Sequence, residues 1–129
     1  MAMADTQHSI LIVDDMEDLR EALALQLDSD GFDVKTAGNG REALKILASY
    51  PCDIVISDIL MPDMDGIELA QSICRRFPAI GMILISGGGK IDQGRYDYLD
   101  MASKLTGVKT ILRKPFDYED LHAAIESLL

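Results

Sequence analysis

Carboxylates, a hydroxyl and a lysine recur at the ends of apolar runs in this chain. Asp14-Asp15 follows Ser9-Ile10-Leu11-Ile12-Val13, Asp58 follows Ile54-Val55-Ile56-Ser57, Ser86 ends Gly81-Met82-Ile83-Leu84-Ile85, and Lys114 comes just after Thr110-Ile111-Leu112. Three carboxylates gathered in one cleft repel one another unless a cation joins them. Hard oxygen ligands, with coordination left over for water and a phosphate, suit Mg²⁺. A lysine adds a point charge for an anion and a hydroxyl adds a further donor. Metal, nucleophilic carboxylate and positive groups for the equatorial oxygens are the parts of a phosphoryl-transfer site. Singly, each residue has a plainer account, such as an aspartate capping a loop. Their shared position at strand ends makes coincidence a poor one.

The elements that must carry these residues follow from periodicity. Ser9 to Val13 is a continuous apolar run, as expected of a strand buried on both faces. Glu17 to Asp30 reads as a helix with Leu19, Ala22, Leu23 and Leu27 on one face, acidic residues at its start and Gly31 as its stop. Phe32 to Thr36 is a weaker strand, the turn Ala37-Gly38-Asn39-Gly40 follows, and Ala43, Leu44, Leu47 and Ala48 mark a second helix that Tyr50-Pro51 closes. The strand ending at Asp58 runs into Met61-Pro62, where proline offers no ladder donor, and then Asp65-Gly66. A helix from Ile67 to about Phe77 carries Leu69, Ala70, Ile73 and Cys74 at helical spacing. After the fourth strand come Gly87-Gly88-Gly89-Lys90 and a polar segment with Tyr96, Tyr98, Met101, Ala102 and Leu105 at helical spacing, stopped by Gly107. Leu121, Ala124, Ile125 and Leu128 mark the last helix. Such alternation of strand and helix calls for a parallel sheet with helices on both faces, whose strand ends lie side by side at one edge.

Composition narrows the function classes. The 129 residues are one domain's worth, with a core large enough to need neither disulfides nor structural metal. A net charge of −10 and the lack of a basic stripe argue against nucleic acid and fit a basic protein partner or a divalent cation. Cys52 and Cys74 show no ligand spacing and are expected to be reduced core thiols. His8 and His122, without carboxylate or thiol company in sequence, are expected at the surface. Met1 to His8 is a short polar tail without the apolar region of a signal peptide, and no apolar run approaches the length of a membrane helix, so a soluble cytoplasmic protein is expected.

Val13-Asp14-Asp15, the stretch from Asp58 through Met61-Pro62-Asp63-Met64-Asp65-Gly66, Ser86 and Lys114-Pro115-Phe116 together resemble the receiver domains of two-component response regulators. The likeness runs from about Ile10 to Leu129, and the chain is similar to the single-domain chemotaxis regulators. It implies an α/β, doubly wound, five-stranded parallel sheet of the flavodoxin-like (βα)5 kind in strand order 2-1-3-4-5, with residues 1–8 as a tail and 9–129 as the receiver. It further implies that Asp58 accepts a phosphoryl group from a phosphohistidine on a histidine kinase or histidine phosphotransfer protein. Asp15, Asp58 and the backbone carbonyl of Leu60 would hold Mg²⁺, Asp14 would act chiefly through a bound water, Lys114 would pair with the phosphate, and Ser86 would move to bond it. The chain is then no enzyme in the usual sense but a phosphoacceptor assisting its own Mg²⁺-dependent phosphorylation and dephosphorylation. A cis Lys114-Pro115 bond belongs to the same resemblance.

The sequence departs from the family in two places. Ile111 stands three residues before the lysine, where the family's aromatic switch is usual, and Gly87-Gly88-Gly89 lengthens the interval between Ser86 and Lys114. The glycines are expected to form a mobile loop that orders on phosphorylation. No effector domain follows Leu129 in this sequence, so the expectation is a stand-alone regulator that switches a protein-binding surface, with a phosphorelay intermediate as the alternative.

Other motifs fail on position. Asp63-Met64-Asp65-Gly66-Ile67 has a faint likeness to haloacid-dehalogenase-type phosphatases, whose aspartates directly follow the strand, whereas Pro62 and other residues intervene here. The same stretch lacks acidic ligands at Met61 and Ser72 for a calcium loop, and Gly87-Gly88-Gly89-Lys90 has Leu84 and Ile91 where a nucleotide-binding loop needs glycine and Ser/Thr.

Overall fold

A computed structural model of the chain describes residues 7–59, 61, 64, 66–86 and 103–129. Its elements are β1 (Ser9–Val13), α1 (Glu17–Ser29), β2 (Asp33–Ala37), α2 (Gly40–Ser49), β3 (Ile54–Asp58), α3 (Gly66–Arg76), β4 (Gly81–Ser86), a helical turn at 103–106 (α4), β5 (Thr110–Arg113) and α5 (Tyr118–Leu128). The strands form one parallel sheet in the order β2-β1-β3-β4-β5. The doubly wound fold expected from the sequence is therefore present.

Alternation along the strands builds two cores. Ile10, Ile12, Ile54, Ile56, Ile83 and Ile85 face α1 and α5, meeting Leu23, Leu27, Leu121 and Ile125. Leu11, Val13, Val55 and Leu84 face the other way, against Ala43 and Leu47 of α2 and Leu69, Ala70 and Ile73 of α3. β1, β3 and β4 are thus covered on both sides, which is why their sequences are continuously apolar. Edge strand β2 is mostly half-buried or exposed, which accounts for its weaker signal. Asn39 caps α2 by accepting from the Glu42 amide, and Asp117 with Asp120 forms a capping box on α5. Gly31 (φ 98°) ends α1 and Gly107 (φ 79°) follows α4, both in the left-handed region that glycine enters without strain.

Several expectations need correction. β2 begins at Asp33, because the Phe32 amide donates to Leu27 O and finishes the α1 terminus instead of joining the ladder. Cys52 is a buried thiol whose pKa desolvation raises, but Cys74 is exposed, with its Sγ reaching Thr106 O at 3.4 Å. Both histidines have carboxylate company: His8 Nδ1 lies 3.5 Å from Asp53 Oδ2, and His122 Nε2 lies 3.8 Å from Glu126 Oε2, one helical turn on. Leu105, placed at helical spacing, does lie within α4, where it is exposed. The Gly87-Gly88-Gly89 loop and Tyr96, Tyr98, Met101 and Ala102 lie outside the described residues. Among the described residues, no helix is long and apolar enough to cross a membrane.

Candidate functional site

Strand register brings the predicted residues to one edge. Val13 pairs with Ser57, Asp58 with Ile85, and Ser86 with Arg113, so the residues that end these strands or follow them emerge together. The backbone continues the ladder just past the strand ends, with Ile59 N donating to Ile85 O and Lys114 N donating to Ser86 O at 2.9 Å each. Two neighbouring segments are thereby held at fixed height beside Asp58.

Side chains from three of these strand ends converge. Carboxylate oxygens of Asp14, Asp15 and Asp58 all lie within 4.8 Å of one another. Asp14 and Asp58 are buried, and Asp15 is exposed at the mouth. Lys114 Nζ stands 3.4 Å from Asp58 Oδ2, the positive partner expected there. The Lys114–Pro115 peptide is cis. Ser86 is buried at the end of β4, next in the sheet to the strand bearing Asp58. Leu60, whose carbonyl the family resemblance assigned to the metal, lies outside the described residues.

Each aspartate is placed by a specific local device. Asp14 donates its amide to Ala37 O (3.2 Å), and its Oδ1 accepts from the Met16 amide at 2.9 Å. This Asx turn pins the loop from β1 into α1. Asp58 is set by the return of the chain into α3: Gly66 N donates to Ile59 O at 2.7 Å, and a Cβ on Gly66 would lie 2.3 Å from Asp58 O. Only glycine permits that approach. Ser57 Oγ donates to Asp58 O at 3.0 Å, so the buried hydroxyl is satisfied within the strand.

The donor set fits a hard divalent cation. All three converging groups supply carboxylate oxygens, with no thiol or imidazole among them. Asp15, exposed and beside two buried carboxylates, leaves the cluster open to water and to an incoming group.

Matching against family models aligns residues 10–126 with the response regulator receiver domain. The chain belongs to that family. Receivers of this kind are signalling switches and not classical enzymes. Among curated relatives, the transcriptional regulatory protein GlrR of Escherichia coli K12 is 36% identical over 120 residues, covering 93% of this chain and 26% of that protein. The first relatives matched are covered over 21%, 47% and 26% of their lengths, so the chain spans at most about half of each. Among solved structures, the chemotaxis response regulator CheY4 of Vibrio cholerae superposes with a TM-score of 0.82 at 27% identity, covering 96% of this chain and all of that one. The Thermotoga maritima response regulator TrrA, in complex with Mg²⁺ and BeF, superposes with a TM-score of 0.80 at 32% identity, covering 95% of this chain and all of that one.

One contributor escaped the sequence reading. Arg20 Nη1 donates to Asp14 O at 2.9 Å from the fourth residue of α1. A cation among Glu17, Asp18 and Glu21 at a helix start opposes the helix dipole, and that misfit was the available signal.

Proposed function

We propose that this receiver accepts a phosphoryl group on Asp58 from a phosphohistidine donor and answers by changing a protein-binding surface. The observation that carries this reading is the convergence of Asp14, Asp15 and Asp58, with Lys114 on the Asp58 carboxylate. An Asp58 oxygen attacks the donor's phosphorus, a P–O bond forms as the P–N bond breaks, and the electron pair returns to the imidazole with a proton from solvent. Asp15, Asp58 and the Leu60 carbonyl would hold Mg²⁺, with Asp14 acting chiefly through a bound water, and the ion would supply charge neutralisation for the phosphoryl oxygens. Lys114 then trades its Asp58 partner for a phosphoryl oxygen. Ser86, at the end of the adjacent strand, is assigned the remaining hydrogen bond.

The surface beside the site supports a protein donor. A cleft of about 540 Å³ runs from Lys114 along α1 and is lined by Leu19, Leu23, Gln26, Pro115, Phe116 and Tyr118. Exposed acidic residues Glu17, Asp18, Glu21 and Asp30 occur along the same helix and its end. An apolar groove on a helix that also carries exposed acidic residues suits an amphipathic helical partner with basic residues. Residues 9–129 act as the receiver and 1–8 as a tail, in a soluble cytoplasmic setting where histidine kinases or phosphotransfer proteins act as donors. The switched surface passes its state to another protein and not to nucleic acid, a reading supported by the net charge of −10.

A purified histidine phosphotransfer protein carrying labelled phosphohistidine tests this reading. Label should pass to the chain with Mg²⁺ present, stop with EDTA, and not pass to Asp58→Asn. Failure of transfer both from this donor and from acetyl phosphate would overturn it.

A further inference from the structure

We propose that Arg20 is a positioning residue for the acidic pocket, setting the affinity for Mg²⁺ through the backbone that carries Asp14 and Asp15; this rests on the receiver reading above. Asp15 shows no side-chain bond of its own among the described residues, so its place depends on its two flanking peptides. The Asp15–Met16 peptide is held on one side, by the Met16 amide donating to Asp14 Oδ1 at 2.9 Å. The Asp14–Asp15 peptide is held on the other, by Arg20 Nη1 donating to Asp14 O at 2.9 Å. Arg20 therefore supplies one of the bonds that hold the peptides flanking Asp15, the exposed member of the cluster.

The berth of Arg20 is built for that bond. Its amide donates to Met16 O at 3.0 Å, which ties the base of the side chain to the same loop. Nη1 passes over Gly38, where a Cβ would lie only 3.2 Å away. Gly38 is itself held, its amide donating to Glu42 Oε1 at 2.7 Å. A chain of contacts thus runs from α2 through Gly38 and Arg20 to the Asp14 carbonyl. The arrangement also costs stability. Arg20 Nε is buried without a hydrogen-bond partner among the described residues, and the cation stands near the positive end of α1. Two unfavourable features retained for one bond to the loop bearing two carboxylates point to a role at the site.

Mg²⁺ titration separates this role from simple fastening of α1. Unfolding midpoints of wild type, Arg20→Ala, Arg20→Lys and Gly38→Ala are measured across Mg²⁺ concentrations, alongside the Mg²⁺ needed for half-maximal phosphorylation by acetyl phosphate. Loss of a residue that orients a ligand costs about 10–100-fold in metal affinity. Acting through backbone, Arg20→Ala should fall near the low end, raising half-saturating Mg²⁺ about tenfold. Arg20→Lys keeps one donor for the carbonyl and should recover most of that loss. Gly38→Ala, which crowds Nη1 without removing it, should shift half-saturation in the same direction and decides the matter if Arg20→Ala fails to fold. A lowered Mg²⁺-free midpoint with unchanged half-saturation in Arg20→Ala and Gly38→Ala would overturn the proposal alone. A wild-type chain indifferent to Mg²⁺ would overturn the receiver reading and the proposal with it.

Discussion

Gly66→Ala should reverse the usual sign of a glycine-to-alanine change in a helix. Gly66 is the first residue of α3, and alanine in a helix ordinarily gains up to about 1 kcal/mol. Here its Cβ would meet Asp58 O at 2.3 Å and Ile59 Cα at 2.7 Å. Both atoms are backbone, so no side-chain rotation relieves the contact. Overpacking costs about 1–3 kcal/mol, and two backbone clashes place this change at the upper end. Subtracting the helix gain leaves a net loss of about 2 kcal/mol, or roughly 8 °C for a domain of this size. Since the clash displaces the segment that presents Asp58, the Mg²⁺-induced rise in midpoint should shrink as well. Gly31→Ala is the control: at φ 98° with nothing within 4 Å of the new Cβ, it meets backbone strain alone. That strain is about 1–2 kcal/mol, and its Mg²⁺ response should match wild type. Circular dichroism melts with and without Mg²⁺ measure both quantities. A Gly66→Ala protein melting at or above wild type would refute the reasoning.

Mg²⁺ should raise the melting midpoint of wild type by mass action, and Asp15→Ala should abolish that response while stabilising the metal-free protein through relief of carboxylate repulsion. Tyr118 donates its hydroxyl to Asp30, and burial, followed by that bond and the Asp30 charge, pushes its pKa upward. A raised folded-state pKa gives stability that is present below the unfolded value near 10 and is lost as pH climbs beyond it, so urea midpoints of wild type and Tyr118→Phe should converge in strong alkali. At neutral pH, Tyr118→Phe should cost about 1–2 kcal/mol. A thiol reagent should modify exposed Cys74 quickly and buried Cys52 only upon unfolding, as counted by mass spectrometry against time.

What was legible in the sequence follows from burial. A strand covered on both faces must be apolar at successive positions, so β1, β3 and β4 stood out with their terminal aspartates and serine. Since strands of a parallel sheet share one C-terminal edge, residues distant in sequence could be placed together before any coordinates. Phe32 misled because a buried aromatic can finish a helix terminus as readily as begin a strand. Cys74 followed the helical spacing, yet Leu69, Ala70 and Ile73 take the inward face and leave it exposed. The His122–Glu126 pair is legible as an i, i+4 spacing. Arg20 was less accessible, because its partner is a backbone carbonyl and its berth depends on Gly38, from a different loop.

The central claim, that Asp58 is the phosphoacceptor, is tested most directly by locating the modified residue. After incubation with acetyl phosphate and Mg²⁺, borohydride reduces an aspartyl phosphate to homoserine, which peptide mass spectrometry assigns to a position. A single homoserine at position 58, absent without Mg²⁺ and absent from Asp58→Asn, is the predicted result. Homoserine at another aspartate in the wild type, or phosphorylation undiminished in Asp58→Asn, would contradict it.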